Sequence, residues 1–218
     1  MKSLFNYCKA RLARILFHNK IKVAKGSKVI INNSILRNCR INVRGRNSSV
    51  NLGTNNRFQN CAIDVFGDDC EITLGCNNKV NHVWLWAEDL GSKIIIGNDN
   101  DFTGKIQLAA IEGTFIKIGN GNLFSREIQV STGDSHSIID AETKRRLNPS
   151  KGITIHNHVW VGMHTTICKG VSIPDNVIVG RGSILTKPVE KSNVALAGVP
   201  AKVVKEGVDW DAAKLPIP

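Results

Sequence analysis

The sequence predicts an all-β protein: a parallel β-helix solenoid preceded by a short N-terminal helix and followed by a C-terminal tail. Three observations carry this. Leu52-Gly53, Leu74-Gly75, Ile96-Gly97 and Ile118-Gly119 recur every 22 residues. From Ile155 an aliphatic residue recurs every six positions, at Val161, Ile167, Ile173, Val179 and Leu185. The composition fits an aliphatic core with frequent turns, since 42% of residues are hydrophobic, only 6% are aromatic, and nineteen are glycine.

The N-terminal segment, residues 1–22, reads as an amphipathic cap with a helix over 3–18. Leu4, Phe5, Cys8, Leu12, Ile15 and Leu16 share one face, and Lys9, Arg11 and Arg14 lie away from it. Such a helix caps the end of a solenoid or packs on a partner subunit. A second reading is a basic helix resting on a membrane surface.

Residues 23–187 form the expected coil. In the 22-residue register, Asn56, Asn78, Asn100 and Asn122 follow each Leu/Ile by four positions. Phe58, Val80, Phe102 and Phe124 come two further on, and Val50, Ile72, Ile94 and Ile116 precede. A fixed period of this length means stacked rungs that bury their apolar faces on each other. Asparagines stacked at one turn can bond rung to rung and tolerate left-handed backbone. The six-residue period suits a three-sided coil with one short strand per side, and the 22-residue rungs can be the same coil with one enlarged corner. Polar residues 139–152 interrupt both periods and read as a protruding loop on one face, often the binding face. Residues 188–218 read as a tail that leaves the coil, with Trp210 as its anchor.

Bulk properties narrow the function. A net charge of +11 favours anionic partners. Nucleic acid is ranked last, because no basic stretch is interleaved with aromatics. The six cysteines show no metal spacing, and no metal is expected. Lys9, Arg11 and Arg14 break any apolar leader segment, and no run is long enough to cross a bilayer. The expected location is therefore cytoplasmic, with the inner membrane face as the site of any peripheral contact through the N-terminal helix.

The run GITIHNHVWVGMHTTICKGVSIPDNVIVGRGSILTKPVEKSNVALAGVPAKVVK, with the upstream STGDSHSI, resembles the hexapeptide-repeat acyltransferases. The resemblance is specific over about residues 115–206 and is nearest to the sugar O-acetyltransferase branch. It implies a left-handed parallel β-helix, usually a homotrimer, using acetyl-CoA as acetyl donor. The implied acceptor is a sugar or polysaccharide.

The resemblance makes His136 the catalytic base, 24 residues before Trp160 of the W-V-G motif. Imidazole suits the task because it titrates near neutrality while an attacking hydroxyl does not ionise there. Asp134 either orients that ring or serves a local turn. Trp160 is an aromatic wall beside the reacting groups in the family, and a ring packed at a coil corner if read alone. The family's acetyl-CoA contacts fall on Met163, Arg181, Thr186, Lys187, Lys202 and Lys205. Two of these depart from the family pattern. Met163 stands where a small residue is common, and Arg181 where alanine is usual. Lys202 and Lys205 also read as an ordinary solvated tail.

His156, His158 and His164 invite a zinc reading, but their spacings of two, six and eight do not match the paired ligands of zinc-binding β-helices. His82, Trp84 and Trp86 read either as a sugar-stacking surface or as corner packing. The acceptor remains open between a capsule or O-antigen glycan and a small molecule such as an antibiotic, an amino sugar or serine. A non-catalytic β-helix scaffold is the reading from a different class.

Overall fold

A computed structural model describes residues 18–217 of the chain. The helix expected over 3–18 lies outside the described residues, except for His18, which sits in a turn. Among the described residues every regular element is a strand.

The strands form three faces of a prism. On the first face, Lys28–Ile31, Ser49–Leu52, Glu71–Leu74, Lys93–Ile96, Phe115–Ile118, Ile153–Ile155 and Ser172–Ile173 stack as a seven-stranded parallel sheet. The second face stacks Ile35–Arg37, Arg57–Gln59 and Lys79–Asn81, then the starts of two long strands, Asp101–Ala110 and Leu123–Ser131. Trp160–Val161, Val177–Val179 and Val194–Gly198 continue it. The third face stacks Lys20–Val23, Arg40–Val43, Ala62–Val65 and Val83–Ala87, then the ends of the two long strands. Thr166–Ile167 and Ile184–Leu185 complete it. The long strands join the last two faces because they run around a corner without a break.

The enlarged corner lies between the third and first faces. Leu108 and Ile167 occupy one column, and Ile118 and Ile173 another. Their separations are ten and six residues, so the four extra residues of each long rung sit at this corner. The polar excursion after Ser131 leaves from the same corner and returns at Ile153.

Stacking explains the repeated residues. A Cβ on Gly53, Gly75, Gly97 or Gly119 would lie 2.3, 2.8, 2.6 or 2.7 Å from the carbonyl oxygen of the next rung. Only glycine permits that approach. Asn56, Asn78, Asn100 and Asn122 are buried and form a ladder. Each side-chain oxygen accepts the main-chain N–H of the following rung, as from Asn100 to Asn78 at 2.9 Å and from Asn122 to Asn100 at 2.9 Å. The left-handed backbone expected of these asparagines belongs to the preceding column, at Asn55, Asn77 and Asp99. Each turn thus divides two jobs between neighbours, one residue bending the chain and the next bonding it to the adjacent rung. Inside, Phe102 and Phe124 stack with ring centroids 4.7 Å apart.

The coil extends beyond residues 23–187 at both ends. It begins at Lys20, inside the segment read as a cap. It also continues past Pro188. Val189 donates to the Ser172 carbonyl at 2.8 Å, and Val194–Gly198 pairs in parallel with Val177–Val179. Lys191 interrupts the six-residue column there, but Val194 and Leu196 still fill the core. The chain then reverses, and Ala201–Glu206 pairs antiparallel with Val194–Gly198. Trp210 anchors the remaining tail. Its ring stacks on His158 at 4.4 Å and its indole N–H donates to the His158 carbonyl at 2.9 Å.

Candidate active site

One side chain ties together the two arms of the excursion after Ser131. Asn148 is buried, and its amide N–H groups donate to the Asp134 carboxylate and the His136 carbonyl, both at 2.8 Å. Its side-chain oxygen accepts the Ile138 N–H at 2.7 Å. The main chain on both sides of His136 is therefore held by a residue twelve positions later. The His136 side chain is exposed.

Asp134 does not reach the imidazole. Its carboxylate is engaged by the Lys169 ammonium and the Asn148 amide, and only its main-chain carbonyl meets His136, accepting that residue's N–H at 2.7 Å. The Lys169 ammonium and the Asn148 amide hold the Asp134 carboxyl below the usual carboxylate range. Lys169 also donates to the Asn148 carbonyl at 3.2 Å. Arg146 pairs with Glu112 at 2.6 Å and bonds Asn148 as well. The same Arg146 guanidinium pushes the Glu112 carboxyl down. Asp134 thus acts on the loop as a structural anchor.

Lys169, Asn148 and Arg146 escaped sequence reasoning. Residues 139–152 read as a loop but not as a clamp, and Lys169 sits in an unremarkable rung, 35 residues from the carboxylate it meets. Cys168 lies beside it, its thiol half-buried. Partial burial, and then the Asp134 carboxylate, push its thiol up.

The other candidate residues divide into two groups. Thr186 follows Ile184–Leu185 on the third face, one rung beyond Cys168. Thr186 and Lys187 therefore share the corner of the His136 excursion, and both are exposed. Trp160 stands instead on the second face, 38% exposed, between Leu123 and Ile178. Its indole N–H points to the Ser125 hydroxyl at 3.4 Å, and its ring lies 6.2 Å from Trp210. Met163 and Arg181 occupy successive rungs at the next corner, where the Met163 carbonyl accepts the Gly182 N–H at 2.8 Å. Lys202 and Lys205 face Ala197 and Ala195 on the returning strand at the end of the second face. One chain therefore keeps His136 and Trp160 on different sides of the prism.

His158 stacks on Trp210 and contacts Asp209 at 3.1 Å, while His164 pairs with Glu127 at 3.0 Å. His82 and His164 both take the left-handed conformation at corners. Among the described residues, no group of three or more His, Cys, Asp or Glu side chains converges as a metal site.

Comparison with known proteins adds independent support. No family model matches the chain. A galactoside O-acetyltransferase of Escherichia coli strain K12 is 51% identical over 59 residues, covering 27% of this chain and 29% of that protein. A polysialic acid O-acetyltransferase of Escherichia coli O1:K1 is 39% identical over 77 residues, covering 35% of this chain and 25% of that protein. These matched stretches span less than a third of either relative. The solved structure of a polysialic acid O-acetyltransferase superposes with a TM-score of 0.79 at 27% identity, covering 91% of this chain and 90% of that one. A polySia-specific acetyltransferase gives 0.80 at 28% identity, with 91% and 92% covered. In rung architecture and motif region the chain is similar to the hexapeptide-repeat acyltransferases. The proteins to which it is similar, over the motif region and in fold, are sugar O-acetyltransferases.

Proposed function

We propose that this protein is an O-acetyltransferase that moves acetyl from acetyl-CoA to a sugar hydroxyl of a bacterial surface polysaccharide, of the capsule or O-antigen kind. The observation that carries the reading is the likeness to two polysialic acid acetyltransferases over nine-tenths of the chain, with an exposed His136 on the clamped excursion.

In the proposed reaction a ring nitrogen of His136 takes the proton of the acceptor hydroxyl. The oxygen attacks the thioester carbonyl carbon, the C–S bond breaks, and CoA leaves as the thiol with the proton returned to sulfur. Clamping the backbone around His136 holds the base in position before substrate arrives, which lowers the entropic part of the barrier. Thr186 and Lys187 would meet the donor from the His136 side. Trp160, Met163, Arg181, Lys202 and Lys205 would meet it from the second face of another copy. That arrangement accounts for residues that one chain keeps apart, and it favours a homotrimer with sites between subunits. Dependence on acetyl-CoA puts the work in the cytoplasm.

The test is acetyl-CoA-dependent thiol release with a panel of capsule and lipopolysaccharide glycans, comparing wild type with His136→Ala. Release with one glycan, reduced by at least ~10²-fold in the variant, is the expected result. Release that survives the substitution removes His136 as base. Absence of release together with absence of CoA binding overturns the enzyme reading.

A further inference from the structure

The third face carries a groove that the acetyl-transfer chemistry does not use. It is a depression of about 410 Å³ lined by Lys20, Lys22, Arg40, Arg44, Phe66 and Trp86, among others. We propose that this groove binds an acidic polysaccharide chain and leads it to His136. The inference rests on the sugar acetyltransferase reading and names the acceptor class and where it lies.

The groove is built rather than accidental. Asp64 lies at its floor with its side chain only 3% exposed. Its carboxylate accepts from the Arg40 guanidinium at 2.6 Å and from the Trp84 indole at 2.8 Å, so one buried anion orients a cation and an aromatic ring. Trp84 meets Trp86 edge-on at 4.8 Å, Trp86 meets Phe66 at 4.5 Å, and the Arg44 guanidinium lies 4.9 Å over the Phe66 ring. The Trp86 indole N–H donates to Glu88 at 2.8 Å. Lys20 and Lys22 are exposed and have no ion-pair partner among the described residues. Aromatic faces take the apolar C–H faces of sugar rings, and guanidinium and ammonium groups take carboxylates. A carboxylate-bearing sugar polymer supplies both.

The strand register directs the groove toward the catalytic loop. Lys22, Asn42, Asp64, Trp86, Ala109 and Ser131 are successive residues of one outward column. At an inter-strand spacing of about 4.8 Å, the five steps span roughly 24 Å, room for several sugars. Beyond Trp86 the column turns to small side chains, and Gln107 and Gln129 flank it with amides suited to hydroxyls. The column ends at Ser131, where the chain departs for the excursion that carries His136.

The experiment uses the full chain and sialic acid polymer fragments, long and short. Dextran serves as neutral glycan and a single-stranded DNA oligonucleotide as non-sugar polyanion. The variants are Trp86→Ala and the double Lys20→Glu/Lys22→Glu. Expected are salt-sensitive binding of the long fragment and a loss of about tenfold in affinity in each variant, the size of one lost stacking or charge contact. The acceptor KM for long fragments rises in parallel, while kcat, donor KM and transfer to short fragments hold. Equal binding of the long fragment by wild type and both variants overturns the proposal. So does tighter binding of DNA than of glycan, or a change in assembly mass in Trp86→Ala with glycan affinity intact. Polymer binding without acetyl transfer would keep the groove and refute the activity. Acetyl transfer with unaffected variants would keep the activity and refute the groove.

Discussion

On the proposed role of His136 as base, replacing Asn148 with alanine should disable that residue without touching it. The side chain makes three bonds of 2.7–2.8 Å, to the Asp134 carboxylate, the His136 carbonyl and the Ile138 N–H. At a net ~0.5–1.5 kcal/mol each, their loss costs the closed loop about 2–4 kcal/mol. That is enough to let the excursion around His136 sample open positions. The excursion lies outside the coil, so the loss stays local and the melting temperature should move by no more than about 2 °C. Catalysis is less tolerant, since a base displaced by ~1 Å loses about 10²-fold in rate. Steady-state thiol release with acceptor and donor varied separately is the assay. The expected outcome is a kcat lowered by about 10²-fold with an unchanged donor KM. A kcat within about twofold of wild type, when His136→Ala has lost activity, would refute the positioning argument.

Three further outcomes follow from the same structure. Lys169 and Asn148 depress the Asp134 carboxyl, so this contact supports the loop above the unfolded carboxylate value of about 3.9 and is lost as pH falls through the folded one. Lys169→Met should therefore raise the Asp134 titration midpoint in carboxyl-carbon NMR, and an unmoved midpoint would remove Lys169 as the cause. Asn100→Ala should destabilise the coil by about 2–5 kcal/mol in denaturant titrations, because it strands the Asn122 N–H and the Gly119 carbonyl in the core. A loss below about 1 kcal/mol would mean the ladder is not needed. Phe102→Ala removes a fully buried ring from the stack on Phe124 and should cost about 3–5 kcal/mol by the same measurement.

The sequence by itself determined the solenoid, its register and its core. Those features are periodic, and each rung repeats the same local demand. Gly75 must pass close to the carbonyl of Gly97, Asn78 must bond Asn56, and Ile72 must face inward above Val50. Residues 22 apart meet because the rungs from Ser49 to Ile118 are of one length, so spacing along the chain there already encodes contact in space. His136 was singled out for a different reason: its distance to Trp160 matches the pattern of the family that the sequence resembles. The end of the coil was not legible, because Lys191 broke the column although Val194 and Leu196 restored it.

Only the tertiary structure decided what surrounds His136. Lys169 reaches Asp134 across 35 residues, and Arg146 reaches Glu112 across 34. Both pairings depend on where an aperiodic excursion folds back, and no spacing rule predicts that. The separation of His136 from Trp160 is also a property of the prism, since one belongs to a corner and the other to the opposite strand stack. The sequence marked Trp84 and Trp86 as a candidate sugar surface, but the charged residues that share their face are likewise invisible in sequence. Lys22, Asp64 and Trp86 are distant in the chain and become neighbours only when parallel strands stack their outward side chains.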